Sequence, residues 1–276
     1  MLKHFMNFLH RTDNAKNVPF NNNRELFSSV MKNAIYILNE TPKKAEENHP
    51  IFSFIKQFTD LITIETAMTS YMYGKQTRTD IMVSSALEAE YSKESETLIE
   101  RIYLKEVAKE DSSIYHNLGY YYSMKPNISF DLTTFPSILN PWNTDRISKN
   151  LINVATKQNP FDKDQYENNI NNSYYYPIGI SNCRQGNHSQ YSAKLKGVGI
   201  STIEEIINIE KLYKYVSFDG NYFHYDFPND DVKKLSISNK IELYLGILFE
   251  VGRLLKDHPY IFPEDIKKCM ANKVPF

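Results

Sequence analysis

Cysteine is nearly absent from this chain. Two residues in 276, Cys183 and Cys269, lie far apart, which excludes a disulfide framework and a cysteine-built zinc set. Such scarcity fits a reducing compartment and leads us to expect a cytoplasmic protein. No apolar run approaches the ~20 residues that a membrane-spanning helix needs, so no membrane association is expected. The opening stretch Met1 to Arg11 is amphipathic and broken by Asn7, His4 and His10. It lacks the continuous apolar core of a secretion signal and reads as a docking helix or a frayed end. A basic excess is also missing: 32 basic residues face 33 acidic ones, for a net charge of -1. Binding of DNA or RNA through phosphates alone is therefore not favoured, although a local patch stays open. There is no P-loop, no Rossmann glycine pattern, no His-Glu-x-x-His and no Gly-x-Ser-x-Gly. We find no internal repeat.

What is present suffices for a core. The chain is 41% apolar and 24% charged, ordinary for a globular protein. Its 20 tyrosines and 16 phenylalanines read first as packing and partly exposed surface, with base-stacking platforms the minority reading.

The fold class we expect is α+β, with a helical region over 1–122 and an α+β region over 123–276 that ends in a hairpin and a helix. In the first region, Glu25 to Leu38 carries apolar residues at helical spacing and stops at Thr41-Pro42. Pro50 to Tyr73 sets Phe54, Phe58, Leu61, Ile62, Ile64 and Met68 on one broad face, and Gly74 ends it. Thr79 to Tyr91 and Ser95 to Ala108 read as two more helices, the second with a charged wet side. Ser112 to Tyr122 is ambiguous.

From Pro126 onward, prolines punctuate shorter segments. Ile128 to Leu132 is a strand candidate. Asn143 to Ala155 reads as a helix capped by Asn143 or Thr144. Asn159 to Ser173 is a polar loop, and Tyr174 to Ile180 has strand composition. Gln190 to Lys196 reads as a short helix closed by Gly197 and Gly199. Lys214 to Tyr225, with Asp219-Gly220 at its centre, gives a strong hairpin signal. Ser238 to Lys256 is the clearest helix, stopped by Pro259.

Between the strand and the short helix lies Gln185-Gly186-Asn187-His188-Ser189, where chemistry concentrates. A helix start points unpaired N–H groups outward, and with the helix dipole these form an anion site. Gly186 allows close backbone approach and positive φ. Asn187 and Ser189 can cap the helix or donate to an oxyanion. His188 can donate to a phosphate or act as acid or base, and is the one catalytic candidate. Arg184 and Lys194 can add charge. A plain strand-to-helix turn with a capping Asn or Ser is the competing reading.

The succession of strand, Gly186-Asn187-His188-Ser189 turn and helix resembles ParB-type and sulfiredoxin-type domains. Those domains carry a Gly-x-His-Arg or related turn at this place. Upstream, Asn140-Pro141-Trp142-Asn143-Thr144-Asp145-Arg146 before a helix resembles the Asn-Pro…Arg entry of the same superfamily, in the same order. The resemblance covers roughly 126–200. The chain is also similar to an uncharacterised bacterial family sharing the Gly-Asn-His-Ser turn and a similar C-terminal helix.

The resemblance implies a small ParB-like α/β domain that binds nucleotide phosphates. Gly186, Asn187, His188 and Ser189 would hold phosphate, Arg146 would close from the neighbouring element, and Arg184 would add charge. A nucleoside triphosphate with Mg²⁺ would be the ligand of a nucleotide-hydrolysing or DNA-processing factor. The helical half would serve a protein partner. Ser189 replaces the arginine often found in ParB-like turns, and Gln185 replaces an Asp. Asn187 occupies the slot where sulfiredoxin chemistry requires a cysteine, which argues against that activity; Cys183 reads as a small buried residue. The alternative is an inactive ParB-like fold serving as a protein-interaction or toxin/defence accessory module.

Four further features stay open or read as structural. Arg146 could pair with Asp145 on the surface instead of meeting phosphate. Glu250 and Arg253, three apart, read as a helical surface pair. Asp226, Asp230 and Asp231 read as a solvated turn, so no metal site is expected. The side of the hairpin on which His224 stands is not readable.

Overall fold

The computed structural model describes residues 22–42, 48–74, 126–161, 169–214, 216–225, 233–237 and 239–271. The expected helices at 79–91 and 95–108, the opening segment 1–11, the ambiguous stretch 112–122 and the acidic cluster Asp226, Asp230 and Asp231 lie outside these residues. Within them the protein is α+β, with six α-helices and nine strands.

Helix α1 (Asn23–Glu40) and α2 (Pro50–Tyr73) open the described fold. The ends of α2 follow from its sequence. Pro50 occupies the first turn, where its missing N–H costs nothing, and His49 caps Ile51 through Nδ1 at 3.2 Å. Gly74, at φ +76, ends the helix. Strand β1 (Ile128–Asp131) and β2 (Ser137–Ile138) follow, then α3 (Thr144–Asn153), capped by Asn143 Oδ1 on the Arg146 N–H at 2.9 Å.

Next come β3 (Asn171–Tyr176), β4 (Ile180–Gln185), α4 (Asn187–Leu195), β5 (Ile200–Ile203) and β6 (Glu205–Asn208). A 3₁₀ turn at Glu210–Lys214 leads into β7 (Val216–Phe218), β8 (Tyr222–Tyr225) and β9 (Lys233–Ser236). Helix α5 (Lys240–Leu255) and α6 (Glu264–Ala271) close the order.

The central sheet runs β2-β4-β3-β6. Strand β3 pairs antiparallel with β4 and parallel with β6, while β2 lies parallel to β4. Strands β1 and β5 form an antiparallel pair beside it, and β7-β8-β9 form a meander. One apolar core joins Ala34 and Leu38 of α1, Ile55 and Ile62 of α2, Tyr174 of β3, Ile206 of β6 and Leu248 of α5. The N-terminal helices thus share their interior with the second half of the chain.

Two sequence expectations change. Tyr174 to Ile180 is not one strand: β3 ends at Tyr176, a cis Tyr176–Pro177 bond and Gly179 turn the chain, and β4 begins at Ile180. The strand that enters the functional turn is therefore β4. Glu250 and Arg253 are not a surface pair either. Glu250 is 8% exposed; Oε1 accepts the Phe218 N–H at 2.8 Å and Oε2 accepts from Arg253 Nε at 2.6 Å. Arg253 in turn donates to the Tyr213 and Val216 carbonyls, so the pair locks the approach to β7 onto α5.

Candidate functional site

Polar side chains on α2 hold the segment that carries one wall of the site. Thr63 Oγ1 accepts the Leu139 N–H at 3.1 Å, and Ser70 Oγ donates to the Pro141 carbonyl at 2.7 Å. Thr144 Oγ1 donates to the Ser70 carbonyl at 2.6 Å. Both Thr63 and Ser70 are buried, so these bonds fix the chain from Leu139 to Thr144 against the helix.

The other wall is α4. Its N-cap is Gly186 at φ +80, and no side chain caps it. A Cβ on Gly186 would stand 2.6 Å from the Asn169 carbonyl oxygen, so both the backbone angle and the space demand glycine. The expectation that Asn187 or Ser189 caps the helix is corrected. Asn187 turns outward from the helix and its Oδ1 accepts the Asn140 N–H at 2.6 Å, while Ser189 Oγ donates to Asn150 Oδ1 at 3.1 Å. The helix also starts at Asn187, three residues before the expected Gln190. The N–H groups of Asn187, His188 and Ser189 consequently meet no acceptor among the described residues. They retain the open, partly positive character of a helix start.

His188 is 7% exposed and stands between the walls. Its Nε2 accepts the Asn143 N–H at 3.2 Å, and its ring meets Trp142 edge-on at 5.4 Å and 71°. A neutral ring that accepts at Nε2 carries its proton on Nδ1. Nδ1 meets no acceptor among the described residues and remains a donor for a ligand. Burial lowers the pKa of His188 to about 4, assisted by the Arg146 charge, so the ring is neutral near pH 7.

Between the walls lies a cleft of about 530 Å³, lined by Trp142, Arg146, Asn150, Asn169, Arg184, Gln185 and the 186–189 turn. All six residues expected to bind a ligand line it: Gly186, Asn187, His188, Ser189, Arg146 and Arg184. The two arginines differ. Arg184 Nη1 lies 3.3 Å from Glu205 Oε2, and Glu205 also accepts from Ser173 Oγ at 2.7 Å, so Arg184 is tethered. Arg146 is exposed and forms no ion pair with Asp145; its guanidinium lies 5.2 Å from the Trp142 ring centroid.

Lys194 does not join them. It lies mostly covered at the far end of α4, 2.7 Å from Asp60 Oδ1 and 3.1 Å from the Ser137 carbonyl. His224 also stands elsewhere, bonded to Asp219 Oδ2 at 3.0 Å on the hairpin. Cys183 is buried, with Gln190 Nε2 2.9 Å from its Sγ. Sequence reasoning missed Trp142, Asn150 and Asn169 as lining residues. For Trp142 a signal existed: it is the single tryptophan of the chain, directly after Asn140-Pro141.

These features define an α+β protein in which a β4–turn–α4 unit and the start of α3 enclose one polar, cationic cleft. The chain belongs to DUF6710, a family of unknown function, whose family model matches residues 10–262. No curated protein and no solved structure matches it. No helix among the described residues is long and apolar enough to cross a membrane.

Proposed function

We propose that the cleft binds the phosphate of a nucleotide or related phosphorylated ligand, in a module resembling ParB-type domains. One observation carries the reading. The two motifs that suggested it, 45 residues apart in sequence, meet across the cleft through Asn140 N–H to Asn187 Oδ1 and Asn143 N–H to His188 Nε2. The residues that carry three open amides, two guanidiniums and the Nδ1 donor of His188 line one volume, and together they supply the kinds of donor an oxyanion requires.

In this reading His188 donates to a phosphoryl oxygen and stabilises charge there rather than accepting a proton. No carboxylate lines the cleft among the described residues. Mg²⁺ accompanying a nucleoside triphosphate would therefore be held largely by the phosphates, with Asn and Gln oxygens beside it. Thermal melting against a panel of nucleotides, with and without Mg²⁺, tests the proposal. A ligand at ~100 times its dissociation constant adds about 2.7 kcal/mol to stability. The wild type should shift with at least one nucleotide and His188→Ala should not; no shift with any of them would remove the reading.

A second reading, a ParB-like fold retained for protein contacts in a toxin or defence setting, draws on another observation. Ile64, Met68, Tyr71 and Met72 stand exposed at helical spacing along α2, an apolar row of the kind that marks interaction surfaces. It predicts partner binding that Met68→Glu abolishes while ligand-induced shifts persist.

A further inference from the structure

Resting on the phosphate reading, the geometry points to the protonation state of the ligand. We propose that the cleft seats an oxyanion that has shed every proton, the dianion of a phosphate monoester or an equally bare sulfate, and refuses the singly protonated phosphate.

Asn187 and His188 are 5% and 7% exposed, and each side chain holds both a donor and an acceptor. The backbone across the cleft decides which of the two is left for a ligand. The Asn140 N–H only donates, so the atom 2.6 Å from it is the Asn187 amide oxygen, Oδ1, and not the amide nitrogen. The Asn143 N–H likewise takes the lone pair of His188 Nε2 at 3.2 Å. Both acceptors are therefore turned to the 140–143 segment. Asn187 Nδ2 and His188 Nδ1 remain; neither meets an acceptor among the described residues, and both side chains line the cleft. Unpaired donors in side chains more than nine-tenths buried mark a place where a ligand completes the bonding.

The open amides at the start of α4 and the guanidiniums of Arg146 and Arg184 are donors as well. Ser189 Oγ is engaged with Asn150 Oδ1, and Asn150 Nδ2 with the Arg146 carbonyl. A P–OH group brought into this seat sets its proton against other protons, which costs affinity, whereas a bare oxygen accepts from each donor. The groups of the described residues that face the seat with charge or a titratable proton are His188 of α4, Arg146 of α3 and Arg184 of β4, with Glu205 of β6 behind Arg184. Burial first and Arg146 second hold His188 at about 4, so its pattern of donor and acceptor does not change while a phosphate monoester takes up its second proton near pH ~6.

Calorimetric titration of the full chain with glycerol 3-phosphate and with sulfate, at about pH 7.5 and about pH 5 and at constant ionic strength, tests this. Glycerol 3-phosphate should lose about tenfold in affinity at the lower pH, following its dianion fraction, while sulfate should hold its affinity within about twofold. Asn187→Asp keeps an oxygen on the Asn140 N–H and puts a second oxygen where Nδ2 stood. It should weaken sulfate about tenfold or more and flatten the pH dependence of glycerol 3-phosphate, whose proton then finds an acceptor. Far-UV dichroism and melting establish that the variant is folded. Glycerol 3-phosphate affinity that holds or rises at the lower pH, sulfate that does not bind where glycerol 3-phosphate does, or a folded Asn187→Asp variant that binds sulfate as the wild type does, each overturns the proposal while the phosphate reading stands. Failure of the wild type to bind glycerol 3-phosphate at the higher pH overturns both.

Discussion

Replacing Gly186 with alanine perturbs the turn that aims the α4 amides into the cleft. Gly186 sits at φ +80, and left-handed backbone costs a residue with a Cβ about 1–2 kcal/mol. The new methyl would also lie 2.6 Å from the Asn169 carbonyl oxygen, a backbone atom that cannot swing aside. Forcing atoms into occupied space adds about 1–3 kcal/mol, so Gly186→Ala should lose roughly 2–5 kcal/mol. Gly197 supplies the internal comparison. It ends α4 at φ +70 with nothing within 4 Å of a Cβ, so Gly197→Ala should lose only the conformational part, about 1–2 kcal/mol. Urea unfolding of both variants and the wild type measures the difference. A Gly186→Ala loss no greater than that of Gly197→Ala would refute the close approach of the turn to Asn169 and the cleft geometry that depends on it.

Three other perturbations probe the supports of the site. Asp60→Asn removes the carboxylate that Lys194 shares with Lys56, where burial already lowers the Lys194 pKa against the pull of Asp60; because the Asp60 side chain is 31% exposed, denaturation should show a loss of about 1–2 kcal/mol, part of it recovered in Asp60→Asn combined with Lys194→Met. Ser70→Ala leaves the Pro141 carbonyl without its donor, and should cost about 1–3 kcal/mol and weaken phosphate binding with no contact to the ligand. His188 is held at about 4 in the folded protein, by burial first and Arg146 second, against ~6.5 unfolded. Above pH 6.5 the ring is neutral in both states; as pH falls toward 4 the unfolded chain takes a proton that the folded chain refuses, and stability drops by up to about 3 kcal/mol. His188→Gln should flatten that pH dependence, and an unchanged slope would show that His188 is not its source.

The helices with strong punctuation were legible before the structure. Pro50 and Gly74 bound α2 at the expected residues, Asn143 caps α3, and Asp219-Gly220 turns the β7–β8 hairpin. The unit around the site was harder. Strand β4 reads Ile-Ser-Asn-Cys-Arg-Gln and buries its serine and asparagine, so neither alternation nor an apolar run betrays it. Helix α4 buries Asn187, His188, Gln190 and Ser192; it has no apolar stripe at its start, and the reading placed that start three residues late. A buried network explains this composition: Gln190 Nε2 donates to Asn172 Oδ1, and Ser201 Oγ donates to Gln190 Oε1. The burial of Glu250 follows from packing of the approach to β7 across α5, which spacing along one helix cannot reveal. The place of Arg146 beside the 186–189 turn follows the motif order, and that of Arg184 its nearness in sequence, which fails for Lys194. The tether on Arg184 and the contact of Arg146 with the Trp142 ring join residues from separate elements, which no sequence spacing reveals.

The central claim is that open amides at the start of α4 receive an anion. Amide-resolved ¹⁵N nuclear magnetic resonance of the wild type during titration with inorganic phosphate tests it most directly. The account predicts saturable shifts at the Asn187, His188 and Ser189 amides and at the Nε groups of Arg146 and Arg184. Saturable shifts confined to other residues, or none up to millimolar phosphate, would contradict it.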